Sequence, residues 1–330
     1  MKITVVGCGG AFSNINFNQC LMLDEEESYH DRAKLIANDM DPKRAIVTNK
    51  HRMLVDCGQQ VSAALYAAKV DLKTITDIYV SHGHSDHIGS LENIAYQRYD
   101  WANKPASCKR DARGLGYGAL VPFVSESYYA PRLIANDKLM AELWENALKL
   151  GLSSIEGLDA TLETFFWPVP MTGHDKLSWC GWELELVQQI HIMTGSVVAN
   201  TFGLFMTRRS DGFRIYHTTD SQHCSPRQVE IFYKKADLIF QDCECLGVDA
   251  IKMNMDFCSG VHANYAQLAG WDSANSTKLS PEIKAKMWLC HYADQVSIGK
   301  DYKGQDCDWN KMAKQDGFRG FIKVGQEIVV

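Results

Sequence analysis

Three histidines and an aspartate fall within one short stretch, His82-Gly83-His84-Ser85-Asp86-His87. Imidazole nitrogen and carboxylate oxygen are the donors that suit zinc and neighbouring divalent ions. The chemistry open to such a group is metal-assisted. A bound cation polarises an electrophile and supplies hydroxide at neutral pH. Burying this many ionisable groups with no partner would be costly, and a cation removes that cost.

Such side chains must be aimed by what flanks them. Ile78-Tyr79-Val80 reads as a short buried strand running straight into the cluster, and a helix is expected from about Ser90 to Tyr99. A loop held between strand and helix can turn all four side chains into one pocket. Upstream, Lys2 to Val6 reads as a strand and Gly7 to Gly10 as a turn. These glycines lack the full GxGxxG spacing, and Asn14, Asn16 and Asn18 read as loop, so a dinucleotide site is rejected. Strands are expected at 19–24 and 52–56, the second ending in Asp56-Cys57-Gly58, and a helix over 59–68.

Beyond about residue 98 the character changes. Lys109, Arg110 and Arg113 sit among Gly114, Gly116 and Gly118, and a helix is expected from about Ala135 to Leu150. The stretch from about 98 to 165 reads as an insertion on a single domain spanning 1–330. Strands near 183–190, 202–208, 213–217, 237–242 and 287–290, with helices near 226–235 and 263–270, complete a layered α/β reading.

Composition bounds the rest. The chain has 330 residues, 46% hydrophobic and 22% charged, which describes an ordinary globular protein. Its formal net charge of −6 argues against a protein whose main task is to grip long nucleic acid. Eleven cysteines, an odd number with no disulfide framework, point to a reducing, cytoplasmic setting. No signal peptide or membrane-spanning run is read, so no membrane partner is expected. Cys243 and Cys245, with Cys258 downstream, could hold a further metal, but CxC spacing alone is weak and buried thiols are the preferred reading.

The HxHxDH string, with Ile88-Gly89 after it, resembles the signature of the metallo-β-lactamase superfamily, and Asp56-Cys57-Gly58 resembles its DxG turn. The resemblance implies an α/β, four-layer αββα fold. It also places His191 in Gln188-Gln189-Ile190-His191, Asp220 in His217-Thr218-Thr219-Asp220, and His291 in Trp288-Leu289-Cys290-His291 at the family's later ligand positions. The implied assignment has two divalent ions, zinc by default with manganese or iron as alternatives. One takes His82, His84 and His191, the other takes Asp86, His87 and His291, and Asp220 bridges them. His217 and His223 flank Asp220 and are read as supporting or surface residues.

Finer motifs resemble ribonuclease Z and related phosphodiesterases: the opening Met1 to Ser13, and Thr201-Phe202-Gly203. Their His-Glu-Ala-Thr strand is degraded here, with Gln241 in place of His and Asp242 in place of Glu. His262 falls where these enzymes keep a histidine before a helix. By this resemblance His262 is the general acid, Asp242 orients it, and Asp86 completes the catalytic group. The expected substrate is a small nucleotide, a cyclic one among the candidates, as for viral phosphodiesterases that destroy cyclic-nucleotide signals. An RNA 3′-end endonuclease and a lactonase or thioesterase are the alternatives, and a non-catalytic sensor is remoter. Tyr96, Tyr99, Trp101, Phe123, Tyr128 and Tyr129 could stack a base, but packing is preferred. A homodimer is expected by resemblance alone.

Overall fold

The computed structural model describes residues 1–26, 50–103, 130–155, 158–194, 197–222, 225–243, 261–271, 279–301 and 303–330. Two seven-stranded sheets make its centre. The first runs in the order β18 (Glu327–Val329), β1 (Lys2–Gly7), β2 (Cys20–Glu26), β3 (Lys50–Val55), β4 (Asp77–Val80), β5 (Arg132–Asn136), β8 (Trp167–Met171). The second runs β17 (Gly320–Phe321), β16 (Met287–Cys290), β15 (Leu238–Asp242), β14 (Arg214–His217), β13 (Thr201–Arg208), β10 (Trp182–Gln189), β9 (Lys176–Trp179). Short hairpins join β6 (Ser154–Ile155) to β7 (Leu158–Asp159) and β11 (Met193–Thr194) to β12 (Val197–Val198).

Side-chain alternation builds the layers. Ile3, Val5, Met53, Val55, Tyr79 and Ile134 share one apolar cluster with Trp182, Leu184, Leu204 and Ile239 of the second sheet. The intervening residues Val6, Leu54, Ile78, Val80 and Leu133 join Val61, Leu65, Leu91 and Ile94 of two helices, Val61–Ala67 and Leu91–Asn103. The first sheet is thus covered on both faces, which is why β4 reads as a continuous apolar run. Tyr233, Tyr265 and Trp309, from the helical segments of the second sheet, close the other side. This is the αββα arrangement expected from the sequence.

Strand direction decides where chemistry can sit. β1 is antiparallel to β2 and β2 to β3, while β3, β4, β5 and β8 are mutually parallel. β14, β15 and β16 are parallel, and β10 joins their direction through antiparallel β13. The segments carrying the histidine cluster, His191, Asp220, Asp242 and His291 all begin at C-terminal strand ends.

The expected insertion is corrected in part. Arg132–Asn136 lies within it, yet pairs with β4 on one side and β8 on the other as an integral strand. A buried three-residue run, Leu133-Ile134-Ala135, has no periodicity to separate strand from helix. The expected helix from Ala135 therefore takes in two strand residues, Ala135 and Asn136; the helix begins at Asp137, capped by the Asn136 side chain. The expected helix at 226–235 is present over 226–233, as a short α-helix, Pro226–Gln228, running into a π-helix, Val229–Tyr233. β8 carries Pro168 and Pro170 yet is a strand, because it lies at the sheet edge, where proline is tolerated. Lys109 to Gly118 lies outside the described residues. Among those described, no helix is long and apolar enough to cross a membrane.

Candidate metal centre

The histidine loop is built on Asp56. This buried residue follows β3 with a φ of 67°, in the left-handed region. Its Oδ1 accepts the Ser81 N–H at 2.8 Å, and its Oδ2 accepts the Ser81 hydroxyl at 2.9 Å and His87 Nδ1–H at 2.9 Å. One carboxylate therefore fixes the start of the loop and its last histidine. Gly58 lets the chain pass beneath: a Cβ there would run into the Asp86 carbonyl. The Phe-Gly element ties in the other sheet. Phe202 N–H donates to the Ser81 carbonyl at 3.1 Å, and the Tyr79 hydroxyl donates to the Phe202 carbonyl at 2.6 Å.

The seven residues expected to surround two ions converge. His82, His84, His191 and Asp220 form one group of donors, and Asp86, His87, Asp220 and His291 form a second. In the first, His82 Nε2 lies 3.0 Å from His84 Nδ1, and His191 Nε2 lies 3.3 Å from the same atom. Asp220 Oδ2 stands 3.5 Å from His82 Nε2 and 3.6 Å from His191 Nε2. In the second, Asp86 Oδ2 is 3.3 Å from both His87 Nε2 and His291 Nε2. Asp220 Oδ1 is 3.2 Å from His87 Nε2 and 3.3 Å from His291 Nε2.

These spacings fit a cation. Four N or O donors about 2.0–2.1 Å from a tetrahedral ion lie roughly 3.3 Å from one another. His87 Nε2 and Asp220 Oδ1 are, moreover, buried atoms with no hydrogen-bond partner, a costly state unless something binds there. Two outer nitrogens are already engaged: His82 Nδ1 is 3.0 Å from the Ser81 hydroxyl, and His191 Nδ1–H donates to the Val261 carbonyl at 2.6 Å. Such partners fix the ring and leave Nε2 aimed inward.

The two groups differ electrostatically. In the first, burial pushes His82 and His191 below the ordinary imidazole range despite Asp220. In the second, burial acts the same way but carboxylates outweigh it. Asp220 and Asp56 push His87 up, and Asp220, Asp242 and Asp86 push His291 up to about 10. The pocket draws positive charge, most strongly on the Asp86 side. Asp56→Ala is expected to weaken metal affinity by about 10- to 100-fold, the usual loss when the residue holding a ligand is removed. Competition with a chromophoric chelator measures this, and unchanged affinity would show that the loop orders itself without Asp56.

On the flank between the groups sits His262. Its ring centroid is 4.9 Å from that of His191 and 4.8 Å from that of His291, stacked on the latter. Its Nδ1–H donates to Asp242 Oδ2 at 2.9 Å, and the Ser221 N–H donates to the same oxygen at 2.7 Å. His262 keeps 12% of its side chain exposed, while Asp242 is fully buried. Asp220, Asp242, His262 and His291 also lie close enough to form a third donor group. Gln241, in the family's histidine position, is buried and accepts the Tyr233 hydroxyl at 2.8 Å.

Of the two readings of His217, supporting or surface, its burial leaves the first. It is buried, with its Nε2 2.5 Å from Gln19 Nε2, and burial pushes it down to about 4. Sequence reading missed Gln19, and no local motif marks it. His223, Cys245 and Cys258 lie outside the described residues, while Cys243 is a buried free thiol. Tyr96 and Tyr99 pack against Phe165, as preferred. Phe123, Tyr128 and Tyr129 lie outside the described residues.

The profile of the family described as "Anti-Pycsar protein Apyc1" matches residues 41–108 and 112–328. The Apyc1 protein of Bacillus phage 010DV004 is 21% identical over 321 residues, covering 90% of each chain. Among solved structures, the metallo-β-lactamase fold protein YhfI from Bacillus subtilis superposes with a TM-score of 0.58 at 16% identity, covering 99% of this chain and 98% of that one. Zinc-bound PqqB from Methylobacterium extorquens gives 0.60 at 10% identity over the full length of both. The profile match spans most of the chain, and this protein belongs to the Anti-Pycsar protein Apyc1 family, on the metallo-β-lactamase fold.

Proposed function

We propose that this chain is a phosphodiesterase dependent on two divalent ions and that it hydrolyses a small cyclic nucleotide. The observation that carries the reading is Asp220, whose two carboxylate oxygens each face a different donor group. Resemblance to cyclic-nucleotide phosphodiesterases and membership of the Apyc1 family supply the substrate class. His82, His84 and His191 would hold one ion, Asp86, His87 and His291 the other, and Asp220 both. Zinc suits this donor set. Such ions would supply a nucleophile at neutral pH and offset charge developing on the phosphoryl oxygens.

The chain's own residues handle the proton. As an imidazolium, His262 donates its Nδ1–H to Asp242, which holds the Nε2–H toward the departing oxygen as the proton to be given up. Asp242 is itself held in place by the Ser221 N–H, so the imidazole cannot swing away. Asp86, within the pocket, belongs to the same catalytic group. The reading also includes a reducing cytoplasmic setting, in keeping with the free cysteines found among the described residues, and a homodimer, which rests on the resemblance.

His262→Ala tests the acid role. Removing a general acid lowers the rate by about 10²- to 10⁴-fold, and metal content should be unaltered. The substrates are 3′,5′-cyclic nucleotides, bis-p-nitrophenyl phosphate, a precursor tRNA and a lactone, each with zinc and with manganese. An undiminished rate in the variant removes His262 from the mechanism. Turnover of the lactone alone, or of the tRNA alone, overturns the substrate class.

A further inference from the structure

The loop after β1 carries a feature the metal centre does not use. β1 is parallel to β3 and β4, so the loop leaves at the edge that bears Asp56 and the histidine cluster. It is wedged between two metal-centre segments. On one side the Gly10 N–H donates to the carbonyl of Tyr292, the residue after His291, at 3.2 Å. Asp294 accepts the Ser13 hydroxyl at 2.5 Å, the Asn14 N–H at 2.8 Å and the Asn16 amide at 3.0 Å. On the other side the Gln60 amide donates to the Ser13 carbonyl at 2.7 Å, and the Gln60 N–H donates to Asn18 Oδ1 at 3.0 Å. Gln19, just beyond, reaches His217 beneath the site.

Within this pinned loop the Ser13 N–H donates to the Gly10 carbonyl at 3.1 Å, closing a turn with Ala11 and Phe12 at its corners. Phe12 is 88% exposed. The comparably exposed Tyr66 and Leu150 belong to helices, Val61–Ala67 and Lys149–Leu152, and not to a loop at this edge. The turn presents a phenyl ring to water at the sheet edge that bears the metal centre, on a backbone already ordered before a flat ligand arrives.

We propose that Phe12 is the platform on which the base of the nucleotide substrate stacks. This rests on the phosphodiesterase reading of the metal centre and adds a residue that selects for a nucleobase. Ring-on-base stacking is tolerant of base identity, so Phe12 distinguishes a nucleotide from a base-free phosphodiester and does not single out one base.

The test compares wild type, Phe12→Ala and Phe12→Trp on a 3′,5′-cyclic nucleotide and on 1-O-methylribose 3′,5′-cyclic phosphate, which lacks the base. Phe12→Ala is expected to lower the preference for the nucleotide, as a ratio of kcat/KM values, by about 5- to 100-fold, the scale for losing one stacked base. The loss falls on KM, and Phe12→Trp restores the preference. Equal ratios in wild type and Phe12→Ala overturn the proposal. So does a shift of light-scattering mass in Phe12→Ala with the ratio unchanged, which makes the ring a contact between copies. If the wild type turns over no phosphodiester, the metal-centre reading fails separately. Calorimetric titration with a nucleoside monophosphate then decides for Phe12: weaker binding in Phe12→Ala sustains the platform, and equal binding removes it.

Discussion

Asp220→Ala is expected to leave a folded chain that holds fewer than two metal equivalents and has lost about 10⁴-fold of its hydrolytic rate, the scale seen when one member of a concerted catalytic unit is removed. The side chain is 1% exposed, with Oδ1 facing His87 and His291 at 3.2 and 3.3 Å and Oδ2 facing His82 and His191 at 3.5 and 3.6 Å. Each donor group thus loses one of its four members in a single substitution. A bridging carboxylate also offsets the repulsion between two close cations, so its loss costs more than one ligand. Asp220→Asn refines the test. The amide offers oxygen to one group and N–H to the other, so one ion should be retained better than the other. Metal content by plasma mass spectrometry, read beside turnover, checks both. Two full equivalents and a wild-type rate in Asp220→Ala would show that Asp220 bridges nothing.

The site was more legible in the sequence than the architecture around it. His82 to His87 declare themselves because cation ligands of one loop must lie close in sequence when a strand and a helix hold its ends. His191, Asp220 and His291 carry no local mark. They were placed through family order, and the fold explains that order, since each follows a parallel-running strand of one sheet. Gln19 had neither kind of signal, because its contact with His217 is made across the two sheets. β5 failed for a different reason. A short apolar run buried on both faces looks the same whether it is strand or helix, and only its pairing with β4 and β8 separates them. β8 carries prolines that an edge tolerates.

A second large effect lies far from the metals, in how the two sheets are pinned together. Asp77 of β4 is fully buried and receives the Arg132 guanidinium from β5, the Thr76 hydroxyl at 2.7 Å and the indole N–H of Trp179 from the opposite sheet at 3.1 Å, with His51 3.8 Å away. Burial alone would raise its carboxyl, but Arg132 and the other donors outweigh burial and hold it below the ordinary carboxylate range. Asp77→Ala removes the buried carboxylate that receives the Arg132 guanidinium, itself buried, and is expected to cost about 3–5 kcal/mol of folding stability. Urea unfolding at neutral pH measures the loss, and a cost under about 1 kcal/mol would show that Arg132 finds water or another acceptor. The pH dependence has a definite sign. A carboxyl whose folded value lies below its unfolded value stabilises the fold fully above the unfolded value, near 3.8 here, and that contribution fades as pH falls toward the folded value. Asp77→Asn cannot bind that proton. Below pH 4 its stability should fall less steeply than wild type, by up to about 1.4 kcal/mol per pH unit. Parallel slopes would mean that Asp77 titrates alike in the folded and unfolded chains, and that the pinning between sheets comes from packing and not from this charge.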